Sequence, residues 1–294
     1  MNTKSSYITK ISALTILLII QSCSSSSKSN HTSEHGTSHS QVSEAKNISQ
    51  PHQQHDKNHT TSVATKSKLT VPEKITSTQA VPIVIDIQDK AGKSIDKFDT
   101  VQEKQMHLIM VSDDLRFFQH VHPVYKENGR FEISPNFSAP GNYTLFSDYK
   151  PAGQNEQVAV QKITIPGEVP IPKDLEKFSN IKIVGDTKIT SNLLETNLKS
   201  GKDLKLNFDL QSVAKKQLVK DLQPYLGEKG HLLIVKSSSP LSQNDYIHAH
   251  AIKDSPKDKI QFSTSFPQPG TYKLWLQFNR GGKVDIADFW VNVK

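Results

Sequence analysis

Phe137-Ser138-Ala139-Pro140-Gly141-Asn142-Tyr143-Thr144-Leu145 returns later in the chain as Phe266-Pro267-Gln268-Pro269-Gly270-Thr271-Tyr272-Lys273-Leu274. Each stretch starts on an aromatic ring, turns at Pro-Gly and enters an alternating apolar strand. Upstream of both, further matches keep the same order. Ile85-Asp86-Ile87-Gln88 pairs with Phe208-Asp209-Leu210-Gln211, and Met106-His107-Leu108-Ile109-Met110-Val111 with Gly230-His231-Leu232-Leu233-Ile234-Val235. His120-Val121-His122 pairs with His248-Ala249-His250. Landmarks that recur in a fixed order mark an internal repeat, so the chain holds two copies of one domain.

Between the landmarks lie short β-runs bounded by turn residues, without a long helical period. Val81 to Gln88 reads as a first strand. Met106 to Val111 is apolar throughout, as in a central strand covered on both faces. Tight hairpins are expected at Asn128-Gly129, around Ser200-Gly201 and at Gly281-Gly282. The Pro-Gly-x-Tyr-x-Leu segments resemble the turn and strand of the tyrosine corner in immunoglobulin-like sandwiches, which implies that the Tyr143 and Tyr272 hydroxyls bond back to nearby backbone. The expected fold is therefore all-β: two tandem immunoglobulin-like β-sandwich domains, at 69–166 and 181–294. A linker over 167–180, rich in Gly167, Pro170 and Pro172, joins them.

The N-terminus has a different character. Lys4 and Lys10 precede the apolar run Ile11–Ile20, which is too short to span a bilayer and reads as a secretory signal peptide over 1–22. Ile19-Ile20-Gln21-Ser22-Cys23 resembles the lipobox of bacterial lipoproteins. That resemblance implies acylation of Cys23 as the first mature residue, a membrane partner through the lipid (palmitate among the acyl chains), and an extracytoplasmic location in the cell envelope. Ser24 after the cysteine resembles lipoproteins sent to an outer membrane, where two membranes exist. Residues 23–68 read as a disordered His/Ser-rich tether with too few apolar side chains to offset ordering entropy. His31, His35, His39, His52, His55 and His59 lie in it and could hold metal ions loosely.

Charge and cysteine content exclude several classes. The formal charge is +7 with a pI near 9.2, yet the lysines are interspersed with acids and form no basic block, so no nucleic-acid partner is expected. Cys23 is the one cysteine of the chain. The mature domains then lack the thiolate that blue-copper, iron–sulfur and zinc-thiolate sites need.

Metal chemistry without sulfur remains open through imidazole. Of twelve histidines, those outside the tether are His107, His120, His122, His231, His248 and His250, which form one triad per copy. Side chains at i and i+2 of a strand share a face, so a His-x-His pair can converge on one ion, and a histidine opening an adjacent strand can add a third nitrogen. Tyr246, His248 and His250 alternate with Ile247, Ala249 and Ala251, which puts the histidines on the face away from the core. The strand after each tyrosine presents Phe146 and Asp148 outward in one copy, and Trp275 and Gln277 in the other. Asp148 is thus a candidate to orient an imidazole of the first triad or to add an oxygen ligand, with Gln277 the weaker counterpart in the second.

All-imidazole sites suit Cu²⁺ or Zn²⁺. The repeated H…HxHP and PGxYxLFxDxxPxG elements resemble a group of poorly characterised secreted bacterial proteins, with immunoglobulin-like or cupredoxin-like sandwiches, associated with heavy-metal and chiefly copper handling. The resemblance spans roughly residues 80–294. In the second copy Ala251 stands in place of Pro123, and Gln277 in place of Asp148. The expectation is a lipid-anchored metal-binding protein that buffers or delivers Cu²⁺ or Zn²⁺ and meets other envelope metal-handling proteins. It is not expected to be an enzyme, since no His-Glu-x-x-His, nucleophile elbow or placed general base is present. The alternative is a non-catalytic interaction module whose histidines are structural.

Overall fold

Alternation sets the first layer: Ile83, Ile85 and Ile87 are fully buried, while Val84, Asp86 and Gln88 are half-exposed. A computed structural model describes residues 64–76, 79–169, 177–194 and 196–294. The leader, Cys23 and nearly all of the tether with its histidines lie outside the described residues, as does part of the linker.

The first half runs β1 (Lys66–Thr70), β2 (Ile83–Gln88), β3 (Phe98–Asp99), β4 (Met106–Ser112), β5 (Phe118–Val121), β6 (Val124–Tyr125), β7 (Arg130–Ile133), β8 (Gly141–Pro151) and β9 (Gln157–Ile165). One sheet has the order β1-β2-β7-β6. The other runs β5-β4-β8-β9, with β3 also on β8. The second half repeats this with β10 (Ile181–Val184), β11 (Thr187–Ser191), β12 (Asp203–Ser212), β13 (Leu222–Gln223), β14 (His231–Lys236), β15 (Tyr246–His250), β16 (Lys259–Ser265), β17 (Gly270–Arg280) and β18 (Lys283–Val293). Its sheets are β10-β11-β12-β16 and β15-β14-β17-β18, with β13 on β17. The protein is thus all-β, built of two repeated sandwiches. Among the described residues the helical content is a single 3₁₀ turn, Gln243–Asp245.

The tyrosine corner is present in both copies. Tyr143 Oη donates to Ala139 O at 2.6 Å, and Tyr272 Oη to Gln268 O at 2.8 Å. Asn128 and Gly129 close the β6–β7 hairpin with φ of 50° and 74°, and Gly281-Gly282 closes β17–β18. Two expectations need correction. β1 takes in Lys66, Ser67 and Lys68, which fall inside the expected tether; its register on β2 supplies the backbone partners that a tether would lack. Ser200-Gly201 is not a tight hairpin. The chain leaves β11 at Ser191 and re-enters at Asp203, and the Ser200 and Gly201 amides donate to Lys294 O and Phe266 O.

Each sandwich has its own core. Met106, Leu108 and Met110 point into the first, with Tyr143 and Leu145; Leu232 and Ile234 point into the second, with Tyr272 and Leu274. The opposite faces of the same strands form a third cluster. Ile109, Val111, Leu115 and Phe146 from the first half meet Leu233, Val235, Leu241, Tyr246 and Trp275 from the second. Phe118 stacks on Trp275 at 4.7 Å, and Phe146 on Tyr246 at 4.9 Å. Phe118 and Tyr246 occupy equivalent places in the repeat, as do Phe146 and Trp275. The contacts are therefore reciprocal, like those of an isologous dimer folded into one chain.

Fully burying such a side chain is worth about 1.5–3 kcal/mol. Trp275→Ala should destabilise the protein by about 3–5 kcal/mol in urea unfolding, because it opens a cavity against Phe118. A loss under about 1 kcal/mol would contradict the packing of this seam.

Candidate metal centre

Strand parity carries the histidines into the seam. His107 opens β4 on the face of Ile109 and Val111, and His120 pairs with Ile109 on β5. His231 opens β14 on the face of Leu233 and Val235, and His248 pairs with Leu233 on β15. The histidines do leave their own cores, as the alternation indicates, but that face is closed by the other half. His107, His120, His231 and His248 are 2%, 8%, 0% and 4% exposed. His122 is half-buried and His250 exposed.

Hydrogen bonds fix which nitrogens carry protons. His107 Nε2 lies 3.0 Å from Val101 O, a group that can only accept, so the proton sits on Nε2 and the lone pair on Nδ1. His120 Nδ1 lies 2.6 Å from Gln277 Oε1; with the amide oxygen turned toward it, Nδ1 carries the proton and Nε2 the lone pair. These two lone-pair nitrogens face each other at 2.9 Å. His122 Nε2 is buried without a hydrogen-bond partner. The ligating atoms of His107, His120 and His122 lie within 4.8 Å of one another. A cation among them would satisfy all three nitrogens.

The second half repeats the device in part. His231 Nε2 donates to Tyr225 O at 2.9 Å, and His248 Nδ1 faces Asp148 Oδ2 at 3.2 Å, leaving His231 Nδ1 and His248 Nε2 opposed at 3.4 Å. Here the Asp148 carboxylate can balance either a proton or a metal ion on the pair. His250 stacks on His248 at 5.3 Å, but its Nδ1 is turned to Gln102 and accepts from Nε2 at 2.8 Å. The structure thus brings the first triad together, pairs two members of the second, and leaves the third at the edge. Asp148 and Gln277 both contact histidines, but each does so across the seam. Asp148 stands opposite His107 of the first triad across β4–β8 and acts on it electrostatically, and its carboxylate also meets His248 of the second.

Burial disfavours the charged form of His107, His120, His122 and His231. Desolvation, followed by the neighbouring His248 and His107, pushes His120 well below the ordinary histidine value. Desolvation and then His107 bring His122 down to about 3, and desolvation brings His231 to about 4. His107 is lowered by desolvation, against the Val101 carbonyl. Neutral imidazole is the form that binds metal.

The groups that set the tautomers left little trace in the sequence. Val101–Lys104 is a two-residue turn with Gln102 and Glu103 at φ of 44° and 65°, closed by Val101 N–Lys104 O at 2.9 Å and Lys104 N–Val101 O at 3.0 Å. Tyr225–Glu228 repeats it with Leu226 and Gly227 at 51° and 75°. Both have the form of type I′ turns, which usually announce themselves through Asn or Gly. Gly227 is the one such residue among the four central positions.

A family model described as a domain of unknown function, DUF8832, matches residues 61–165 and again 183–294. The chain belongs to this family. Each DUF8832 match contains one full histidine triad. No functionally curated protein matches the sequence. Among solved structures, Salmonella alpha-2-macroglobulin aligns at 10% identity and TM-score 0.26, over 78% of this chain and 14% of that one. A two-domain fibronectin type-III segment of chicken tenascin aligns at 10% identity and TM-score 0.23, over 76% and 97%. A titin A168169 structure aligns at 10% and 0.20, over 78% and 98%.

The metal-free protein should lose stability on acidification. For His122 and His231 the folded value lies below the ordinary 6.5, so the unfolded chain takes up protons first. Their contribution is complete above pH 6.5 and declines as pH falls toward 4 and then 3. Thermal melts should give a lower Tm at pH 5 than at pH 7.5; an equal or higher one would contradict neutral burial.

Proposed function

We propose that the protein is a lipid-anchored, extracytoplasmic binder of Cu²⁺ or Zn²⁺ that buffers or delivers the ion. One observation carries the reading: His107 Nδ1 and His120 Nε2 face each other at 2.9 Å with both ring protons committed elsewhere, beside the orphaned Nε2 of His122. Two opposed lone pairs and a buried unpartnered nitrogen are costly unless something electrophilic joins them. An all-nitrogen donor set favours Cu²⁺ and Zn²⁺, with Cu²⁺ the tighter by intrinsic affinity. The tether histidines supply loose capture ahead of this site. The protein's role is to bind the ion, not to transform a substrate.

Calorimetric titration of the chain with its six tether histidines changed to asparagine should show binding of Cu²⁺ or Zn²⁺ and a raised Tm, since a ligand of the folded state stabilises it by mass action. His120→Ala with His122→Ala should abolish the tightest binding. No heat and an unmoved Tm would instead favour the interaction-module reading. Cys23→Ala should move the protein from the membrane to the soluble fraction of its host; unchanged membrane retention would refute the lipid anchor.

A further inference from the structure

We propose that the two triads make one two-ion centre in the seam, in which each half supplies the group that orients the other half's ligand. This rests on the metal-binding reading above. Ring distances across the seam match those within a half: His107–His248, His120–His248 and His120–His231 are 5.3, 5.8 and 5.9 Å, against 5.1 Å for His107–His120 and 5.7 Å for His231–His248. The imidazoles form one continuous cluster, not two islands.

The orienting contacts are crossed. Gln277, from the second half, holds His120, and Asp148, from the first, holds His248. Gln102, also from the first half, holds His250, and its own Oε1 is buried without a partner. The first pocket has its three nitrogens assembled. The second has its pair opposed at 3.4 Å and gains a third nitrogen when His250 leaves Gln102. Two dications in one cleft repel, so loading is sequential, with the His107–His120–His122 pocket filling first.

Copper(II) is the probe, added to the full chain with the tether histidines changed to asparagine. Titration should give two equivalents, the second weaker by at least about tenfold. Paramagnetic resonance should show isolated Cu²⁺ at one equivalent. At two equivalents the visible intensity should fall below the copper content and a half-field line should appear, because the ions are coupled. A single equivalent, or two whose intensities simply add without a half-field line, overturns the two-ion centre but leaves metal binding standing. No binding at all overturns both. Gln277→Glu places a carboxylate behind His120 from the other half and should tighten the first equivalent by roughly tenfold. A folded variant with unchanged first-equivalent affinity overturns the crossed control, and the resonance measurement on the parent chain decides the two-ion centre regardless.

Discussion

Everything at the seam follows from β4 and β14 having no face that tolerates water. A strand with one apolar face can sit at the surface of a sandwich; Met106 to Val111 and Leu232 to Val235 are buried on both. Their own cores cover one side, and only the other sandwich covers the second. Docking is thus enforced by the same hydrophobic burial that builds each core. The histidines at the entrance of these strands share the parity of Ile109 and Leu233, so they are buried with them.

Burial then converts ordinary imidazoles into committed ones. In water a histidine exchanges its tautomers freely; at the seam, Val101 O and Tyr225 O can take only a proton, and that decides where the lone pairs point. The left-handed turns that present these carbonyls are unusual for Gln102, Glu103 and Leu226. Backbone of this kind persists where the surroundings determine it, and such positions concentrate at functional sites. Loss of solvation and loss of tautomeric freedom act together here to leave neutral donors aimed at one another.

The repeat, the sandwich class, the tyrosine corners and the parity of the histidines were legible in the sequence because each is written in period-two alternation or in Pro-Gly turns. The sequence also shows that Phe146, Trp275, Asp148 and Gln277 leave the core. What covers that face was not legible, because alternation records that a side is apolar without naming its neighbour. The run Met106 to Val111 shows that both faces are covered, but not that the second half covers the outer one and sets Asp148 between His107 and His248. Turns built on Gln102-Glu103 and Leu226-Gly227 lack the usual signature, which hid the carbonyls that fix His107 and His231. The gap between Ser191 and Asp203 misled for the opposite reason: Ser200-Gly201 has turn chemistry but serves backbone of Lys294 and Phe266.

The reciprocal stacking of Phe118 on Trp275 and of Phe146 on Tyr246 has the geometry of a homodimer, yet both partners are encoded once, in tandem. A true pair of identical subunits must carry every substitution twice. Covalent fusion removes that obligation: an acid can stand at one end of the junction and an amide at the other, and one outer imidazole can be gathered in while its twin stays at the rim. The molecule keeps the economy of a symmetric contact while its two ends are free to differ in charge and in exposure.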